Sequence, residues 1–273
     1  MTEVKIGLAQ MRSEKGDWAG NLERVEEYMA QARDEGCEIV VFPEMSLSGY
    51  CDPAKFPDAV GTLESPWVRH FVELTGKYRM VASAGFIEAN GRQKPFITQV
   101  LARDGRIIGV YRKRHIVDEE AEWFSAGEST PVFDVGLNGG RIRLALAICA
   151  DSDNPQIFAD AARGGAQVVL HSSAPGLYER REDEAGWRSG FDWYKSHLGE
   201  RLPLYAREHG LYIAVATQTG ATVDEDFPGG SFVFGPDGEC LPGSENWDEM
   251  LLCFELDLPD YEMERQEEKV AGM

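Results

Sequence analysis

Cationic side chains are scarce in this chain. Lysine and arginine number 27 against 47 acidic residues, and the formal net charge is −20. Such a balance repels phosphate backbones and anionic lipid, so neither nucleic acid nor a membrane surface is an expected partner. Long apolar runs are missing too, since no stretch approaches the about 18 residues that a membrane helix needs. The opening MTEVKIGLAQ lacks the basic n-region, apolar h-region and cleavage site of a secretory signal and reads as a first strand. Cysteine is sparse: Cys37, Cys51, Cys149, Cys240 and Cys253 are odd in number and contain no C-x-x-C pair. That spacing speaks against a disulfide framework and a zinc site, and for a reducing, cytoplasmic compartment. A Pro/Ser-rich linker, an internal repeat and a low-complexity tract are all absent, so residues 1–273 are read as one domain.

What remains is an ordinary globular composition, 43% hydrophobic, at a length where roughly three quarters of the unfolded surface can be buried. Short β-branched runs alternate with helical patterns. Strands are expected at residues 4–9, 38–42, 80–87, 96–102, 106–111, 132–135, 142–148, 167–170, 211–217, 231–234 and 251–256. Helices are expected at 21–35, capped by Asn21, and at 65–77, 155–163 and 192–209. Tight turns at Asp104-Gly105, Gly139-Gly140 and Pro236-Asp237-Gly238 join some strands directly, which predicts α/β mixed sheets rather than a purely parallel one. Residues 175–190 are polar and aperiodic and read as a long loop.

Three chemically apt residues follow three of these strands. Glu44 comes after residues 38–42, Lys113 after 106–111 and Cys149 after 142–148. Ligands of α/β folds bind beyond the carboxyl ends of strands, so the three can converge from distant chain positions. A thiol needs a base or cation to raise its thiolate fraction, a carboxylate can take its proton, and an ammonium can hold a developing oxyanion. Each also has a plainer reading. Cys149 suits a small core residue, Glu44 a solvated loop acid, and Lys113, in Tyr-Arg-Lys-Arg-His, a surface basic cluster.

The local sequences separate these readings. Phe42-Pro-Glu-Met-Ser-Leu-Ser-Gly-Tyr50, Tyr111-Arg-Lys-Arg-His-Ile116 and Ala147-Ile-Cys-Ala-Asp-Ser-Asp-Asn-Pro155 resemble, in order, the three signature blocks of the nitrilase superfamily of carbon–nitrogen hydrolases. The resemblance implies Glu44 as general base, Lys113 as catalytic lysine and Cys149 as nucleophile. Glu120-Ala-Glu-Trp-Phe-Ser-Ala-Gly127 resembles the family's E-x-x-aromatic-F-x-x-G segment, which implies Glu120 as a second glutamate orienting the lysine, with Glu119 and Glu122 as competing alignments. The implied fold is a four-layer α-β-β-α sandwich with mixed sheets. The implied reaction runs through a thioester, needs no metal or organic cofactor, and releases ammonia or an amine. Homodimers or larger homo-oligomers are implied as well.

The chain departs from the family's pattern at Gln156, Thr217 and Ala150, none of them a proposed catalytic position. Cys149-Ala-Asp151 is more similar to amidase and carbamoylase branches than to true nitrilases. A small amide or N-carbamoyl compound is therefore the expected substrate. A nitrilase or acyltransferase using the same trio, and a non-catalytic interaction module, are the alternatives. Tyr50, Trp123, Ala150 and His171 are candidates for the substrate wall, though aromatics also suit packing and His171 suits a structural hydrogen bond. Asp151 is read as a residue that bonds backbone amides at the turn. Arg180, Arg181 and Arg188 either bind a substrate carboxylate or pair with the acidic surface.

Overall fold

The computed structural model of the chain describes residues 2–178 and 180–259. It begins with β1 (Thr2–Gln10), α1 (Trp18–Asp34), β2 (Ile39–Val41), the short β3 (Val60–Gly61) and α2 (Pro66–Tyr78). The meander β4 (Val81–Asn90), β5 (Gln93–Arg103), β6 (Arg106–Arg112) follows, then the single turn α3 (Glu120–Trp123). Next come β7 (Val132–Leu137), β8 (Gly140–Ile148), α4 (Pro155–Arg163), β9 (Val168–Ser173), α5 (Glu184–His209) and β10 (Tyr212–Thr217). The short β11 (Thr219–Ala221), β12 (Asp226–Pro228) and β13 (Phe232–Phe234) lead to β14 (Met250–Leu258).

Two large sheets result, ordered β14-β1-β2-β4-β5-β6, with β3 beside β4, and β13-β10-β9-β8-β7. Both are mixed: β1, β2 and β4 run parallel, as do β8, β9 and β10, with β3 parallel to β4, while β14, β5, β6, β7 and β13 pair antiparallel with their neighbours. Alternation along each central strand explains the layering. Leu144, Leu146 and Ile148 of β8 meet Ile6, Leu8 and Val41 between the sheets. Ala145 and Ala147 point outward onto α4 and α5, and Val40 of β2 points outward onto α1 and α2. Strands apolar on both faces must be covered on both, and the outcome is the expected α-β-β-α sandwich.

Two boundaries differ from the sequence reading. α1 starts three residues earlier, at Trp18, where the side chain of Asp17 accepts from the Gly20 amide. Asn21 is not the cap. It is buried inside the first turn, where Oδ1 accepts from Glu14 N at 2.7 Å and Nδ2 donates to the carbonyls of Glu14 and Leu47. The span 175–190 is loop only in its first part, because α5 begins at Glu184, capped by Asp183. Gly186 and Gly190 hide those turns from a periodicity reading. Gly190 lies so close to Leu177 that an added Cβ would stand 2.8 Å from Leu177 Cδ1.

The Asp17 and Asn21 roles predict a ranking in urea denaturation. Asp17→Ala removes one cap and should cost about 1 kcal/mol. Asn21→Ala strands buried backbone groups of Glu14 and Leu47 and should cost about 2–3 kcal/mol. The reverse order would contradict this account.

Candidate active site

Each of the three strand ends is fixed by backbone before any chemistry is considered. Beyond β2, Phe42 N bonds Ser83 O and Leu47 N bonds Gly85 O, so the Glu44 segment runs along β4. Met45, next to Glu44, is held in the left-handed region at φ 49°. Lys113 donates its amide to Ile97 O at 2.9 Å and accepts from Gly127 N at 2.7 Å. Any side chain at position 127 would collide with that strand, because a Cβ would sit 2.3 Å from Arg112 O. Cys149 opens a single 3-10 turn, Cys149–Asp153, and has φ 42°. A non-glycine residue in the left-handed region is strained, and such strain persists only where surrounding structure enforces it.

The side chains converge. Lys113 Nζ lies 2.9 Å from Glu44 Oε1 and 2.6 Å from Glu120 Oε1, with Lys113 and Glu44 fully buried and Glu120 4% exposed. Glu119 and Glu122 point into solvent, so Glu120 alone of the three neighbouring acids meets the lysine. Glu44 Oε2 accepts from the Ala174 amide at 3.1 Å, and Glu44 and Cys149 are near enough for each to act on the other's proton affinity. Tyr50 donates its hydroxyl to Glu120 Oε1 at 3.0 Å.

Electrostatics follow from that burial. Desolvation raises Glu44, the Lys113 ammonium pulls it back, and the balance leaves it pushed up to about 7. Burial alone would lower Lys113, but Glu44 and Glu120 outweigh it and hold the ammonium charged well above its ordinary range. Burial and the Glu44 charge push the Cys149 thiol up, so the resting sulfur keeps its proton. Proton transfer from the resting thiol to Glu44 is uphill, so Glu44 takes that proton as the sulfur attacks and the developing charge is stabilised.

Two further residues brace the nucleophile. Asp151 is buried; Oδ2 accepts from Tyr111 Oη at 2.6 Å and Ile148 N at 2.8 Å, and Oδ1 from His115 N at 2.9 Å. It ties the end of β6 to the end of β8, the backbone role read for it from sequence. His171 is likewise fully buried. Its Nε2–H donates to the Cys149 carbonyl at 3.0 Å, and Nδ1 accepts from the Ser173 hydroxyl at 3.1 Å. Burial drops its pKa to about 4, so it stays neutral in this tautomer.

A cavity of about 410 Å³ opens over the sulfur. Tyr50, Trp123 and Ala150 line it, together with Cys149, Lys113 and Glu120. His171 does not, which corrects its assignment to the wall: the ring stands behind Cys149 and faces its backbone. The loop arginines do not reach the cavity either. Arg180 pairs with Asp226 at 3.0 Å, Arg181 bonds Leu177 O, and Arg188 bonds Glu245 O and lies over Trp247. The departures Gln156 and Thr217 are occupied locally, bonding Asp160 and the Gly230 carbonyl. Sequence reasoning did not single out the Ala174 amide, Tyr111 or Tyr194, since nothing in a strand or helix pattern marks which of its polar groups face a site. Among the described residues no group of three or more His, Cys, Asp or Glu side chains is arranged to hold a metal ion.

The architecture and site define a carbon–nitrogen bond hydrolase, and comparison with known proteins agrees. The chain belongs to the carbon-nitrogen hydrolase family, whose model matches residues 5–266. It is 26% identical over 269 residues to a glutamine-dependent NAD(+) synthetase of Thermotoga maritima, covering 95% of this chain but only 43% of that longer protein. It is 26% identical to a citrullinase of Francisella tularensis subsp. tularensis, covering 97% of this chain and 93% of that one. Among solved structures, a glutamate-to-glutamine mutant of the amidase from Nesterenkonia sp. AN1 superposes with a TM-score of 0.77 at 25% identity, over 99% of this chain and 97% of that one. That amidase shows covalent addition of the acetamide moiety of fluoroacetamide at its active site cysteine.

The Asp151 brace carries its own prediction. Asp151→Asn turns an acceptor oxygen into an NH₂ group facing the same donors and should lower stability by about 2–4 kcal/mol in urea denaturation. Glu122→Gln, on the exposed side of α3, should change it by less than about 0.5 kcal/mol.

Proposed function

We propose that this enzyme hydrolyses a small amide or N-carbamoyl compound through a thioester on Cys149. The observation that carries the reading is that Lys113 and Cys149 line one cavity while the buried Glu44 carboxylate stands 2.9 Å from the Lys113 ammonium and acts on the Cys149 thiol. Glu44 takes the thiol proton as the sulfur attacks the substrate carbonyl. The oxyanion is held by the Lys113 ammonium and the Ala150 N–H. Collapse of the tetrahedral adduct expels ammonia or an amine, which leaves with the proton from Glu44. Water, deprotonated by Glu44, then cleaves the thioester and frees the acid and the sulfur. Glu120, bonded by Tyr50, keeps the lysine in place and charged. The amidase and citrullinase likenesses support a small C–N substrate.

The proposal extends to setting and assembly. A reducing cytoplasm suits five free cysteines, and no helix among the described residues is long and apolar enough to cross a membrane. Pairing of two chains is supported by Trp193 and Leu204, both about half exposed and three turns apart on one side of α5.

Cys149→Ala should abolish ammonia release from a simple amide such as propionamide while leaving the fold intact by circular dichroism. Mass spectrometry should find a transient acyl adduct on the wild type and none on the variant; unchanged ammonia release would defeat the mechanism. The pH dependence has a definite sign. Glu44 accepts a proton only when ionised, so kcat/KM should fall as pH drops through about 7, while Lys113 stays charged throughout. An acid limb in the ordinary carboxylate range, about pH 4, would contradict the assignment.

A further inference from the structure

Just ahead of the base, the hydrogen-bond ladder between β2 and β4 stops. Val81 N donates to Glu38 O in that parallel pair, and the same register points Gly85 N at Phe42 O. Gly85 N donates instead to Ser46 Oγ at 3.2 Å. Residue 43 is a proline, and the chain turns out of β2 there to reach Glu44. The Phe42 carbonyl is thus left without its ladder partner in a residue that is fully buried. An unmet buried carbonyl is unfavourable, so another donor has to reach it.

That donor comes from the opposite sheet. Ser172 Oγ donates to Phe42 O at 2.8 Å. On β9, Val168 and Leu170 face the core between the sheets, and alternation places Ser172 next in the same inner row, fully buried. A hydroxyl among aliphatic side chains needs a partner, and the Phe42 carbonyl supplies it. Gln99 Nε2 reaches the same oxygen at 3.4 Å, but β5 lies in the sheet that already carries β2. Of the two donors, only Ser172 ties one sheet to the other.

Ser172 also stands in register with Ile148, the residue before the nucleophile. On one side of it His171 Nε2 holds the Cys149 carbonyl at 3.0 Å, and beyond it the Ala174 amide holds Glu44 Oε2 at 3.1 Å. One strand end therefore grips the backbone of the nucleophile, the carboxylate of the base and the backbone that leads to the base.

Resting on the amide-hydrolysis reading above, we propose that Ser172 is a positioning residue for Glu44: its hydroxyl, on the strand beside the one that ends at Cys149, fixes where the base stands relative to the sulfur and the Lys113 ammonium. It touches no substrate. Without this bond the Phe42 carbonyl turns toward another donor and carries Pro43 and Glu44 with it. The carboxylate then draws away from Lys113 Nζ and the Ala174 amide, the donors that favour its ionised form. A displacement of about 1 Å is enough to slow a reaction about a hundredfold.

Alkylation of Cys149 by iodoacetamide, followed on its own peptide by mass spectrometry, reads base and sulfur without any substrate. In the wild type its rate should climb with pH through about 7, as Glu44 ionises. Ser172→Ala should slow alkylation about tenfold at neutral pH and move the climb upward by about half a pH unit or more. With propionamide, the same variant should lower kcat about tenfold and leave KM within about twofold. Ser172→Thr keeps the hydroxyl and should hold both rates within about threefold of the wild type. Ser172→Cys fills the space with a weak donor; it should behave as the alanine variant does, and it replaces that variant in the test if alanine prevents folding. Thr75→Ala removes a buried hydroxyl that bonds Val72 O on α2, and should lower Tm while leaving both rates unchanged. A Ser172→Ala enzyme of lowered Tm that keeps the wild-type alkylation profile and kcat would overturn the positioning role. A wild type that releases ammonia from no amide or N-carbamoyl compound would overturn the hydrolysis reading, while the alkylation profiles would still decide for or against Ser172.

Discussion

A buried ammonium dictates the layout of this site. Lys113 is buried and survives as a cation because Glu44 and Glu120 approach it within hydrogen-bond distance. Removing one member of such a cluster strands the remaining charge, at a cost of about 3–5 kcal/mol in comparable buried pairs. The arrangement therefore has to be complete or absent. Its charge balance also sets the chemistry: two carboxylates around one ammonium leave room for one extra proton, and Glu44, raised by burial and by Glu120, is where that proton is held. Tyr50 adds a donor to Glu120 but none to Glu44, which keeps the two carboxylates unequal.

The sandwich supplies the rigidity that this cluster requires. Glu44 follows β2, Lys113 follows β6 and Cys149 follows β8, so the two sheets each present part of the trio across the core between them. The left-handed backbone at Met45 and Cys149 is tolerated because hydrogen bonds on either side enforce it. Asp151 and His171 complete the enforcement from behind, one holding the ends of β6 and β8 together, the other gripping the carbonyl of the nucleophile. Neither needs to touch substrate to matter.

Much of this was legible in the sequence, for a physical reason. Strands buried on both faces give unbroken apolar runs such as residues 144–148, and their ends carry the polar residues that form the site. The three blocks around Glu44, Lys113 and Cys149 carry their local geometry with them, as does the Glu120–Gly127 segment, whose Gly127 lacks a side chain and so lets the backbone bond Lys113. Other features were illegible for equally definite reasons. Adjacent acids at positions 119, 120 and 122 differ only in which way a single helical turn faces. His171 ends a strand, and a strand end does not reveal whether a ring lies over the cavity or behind the sulfur. Gly186 and Gly190 disguised two turns of α5 as loop.

The account rests on Glu44 holding a proton near neutrality inside a network that keeps Lys113 charged. Infrared difference spectroscopy across a pH titration reads that proton directly, with Glu44→Gln as the reference for assigning the carboxylic C=O band. The account predicts a protonated band for Glu44 that disappears around pH 7, replaced by carboxylate absorption. A Glu44 ionised down to the ordinary carboxylate range, about pH 4, would contradict it.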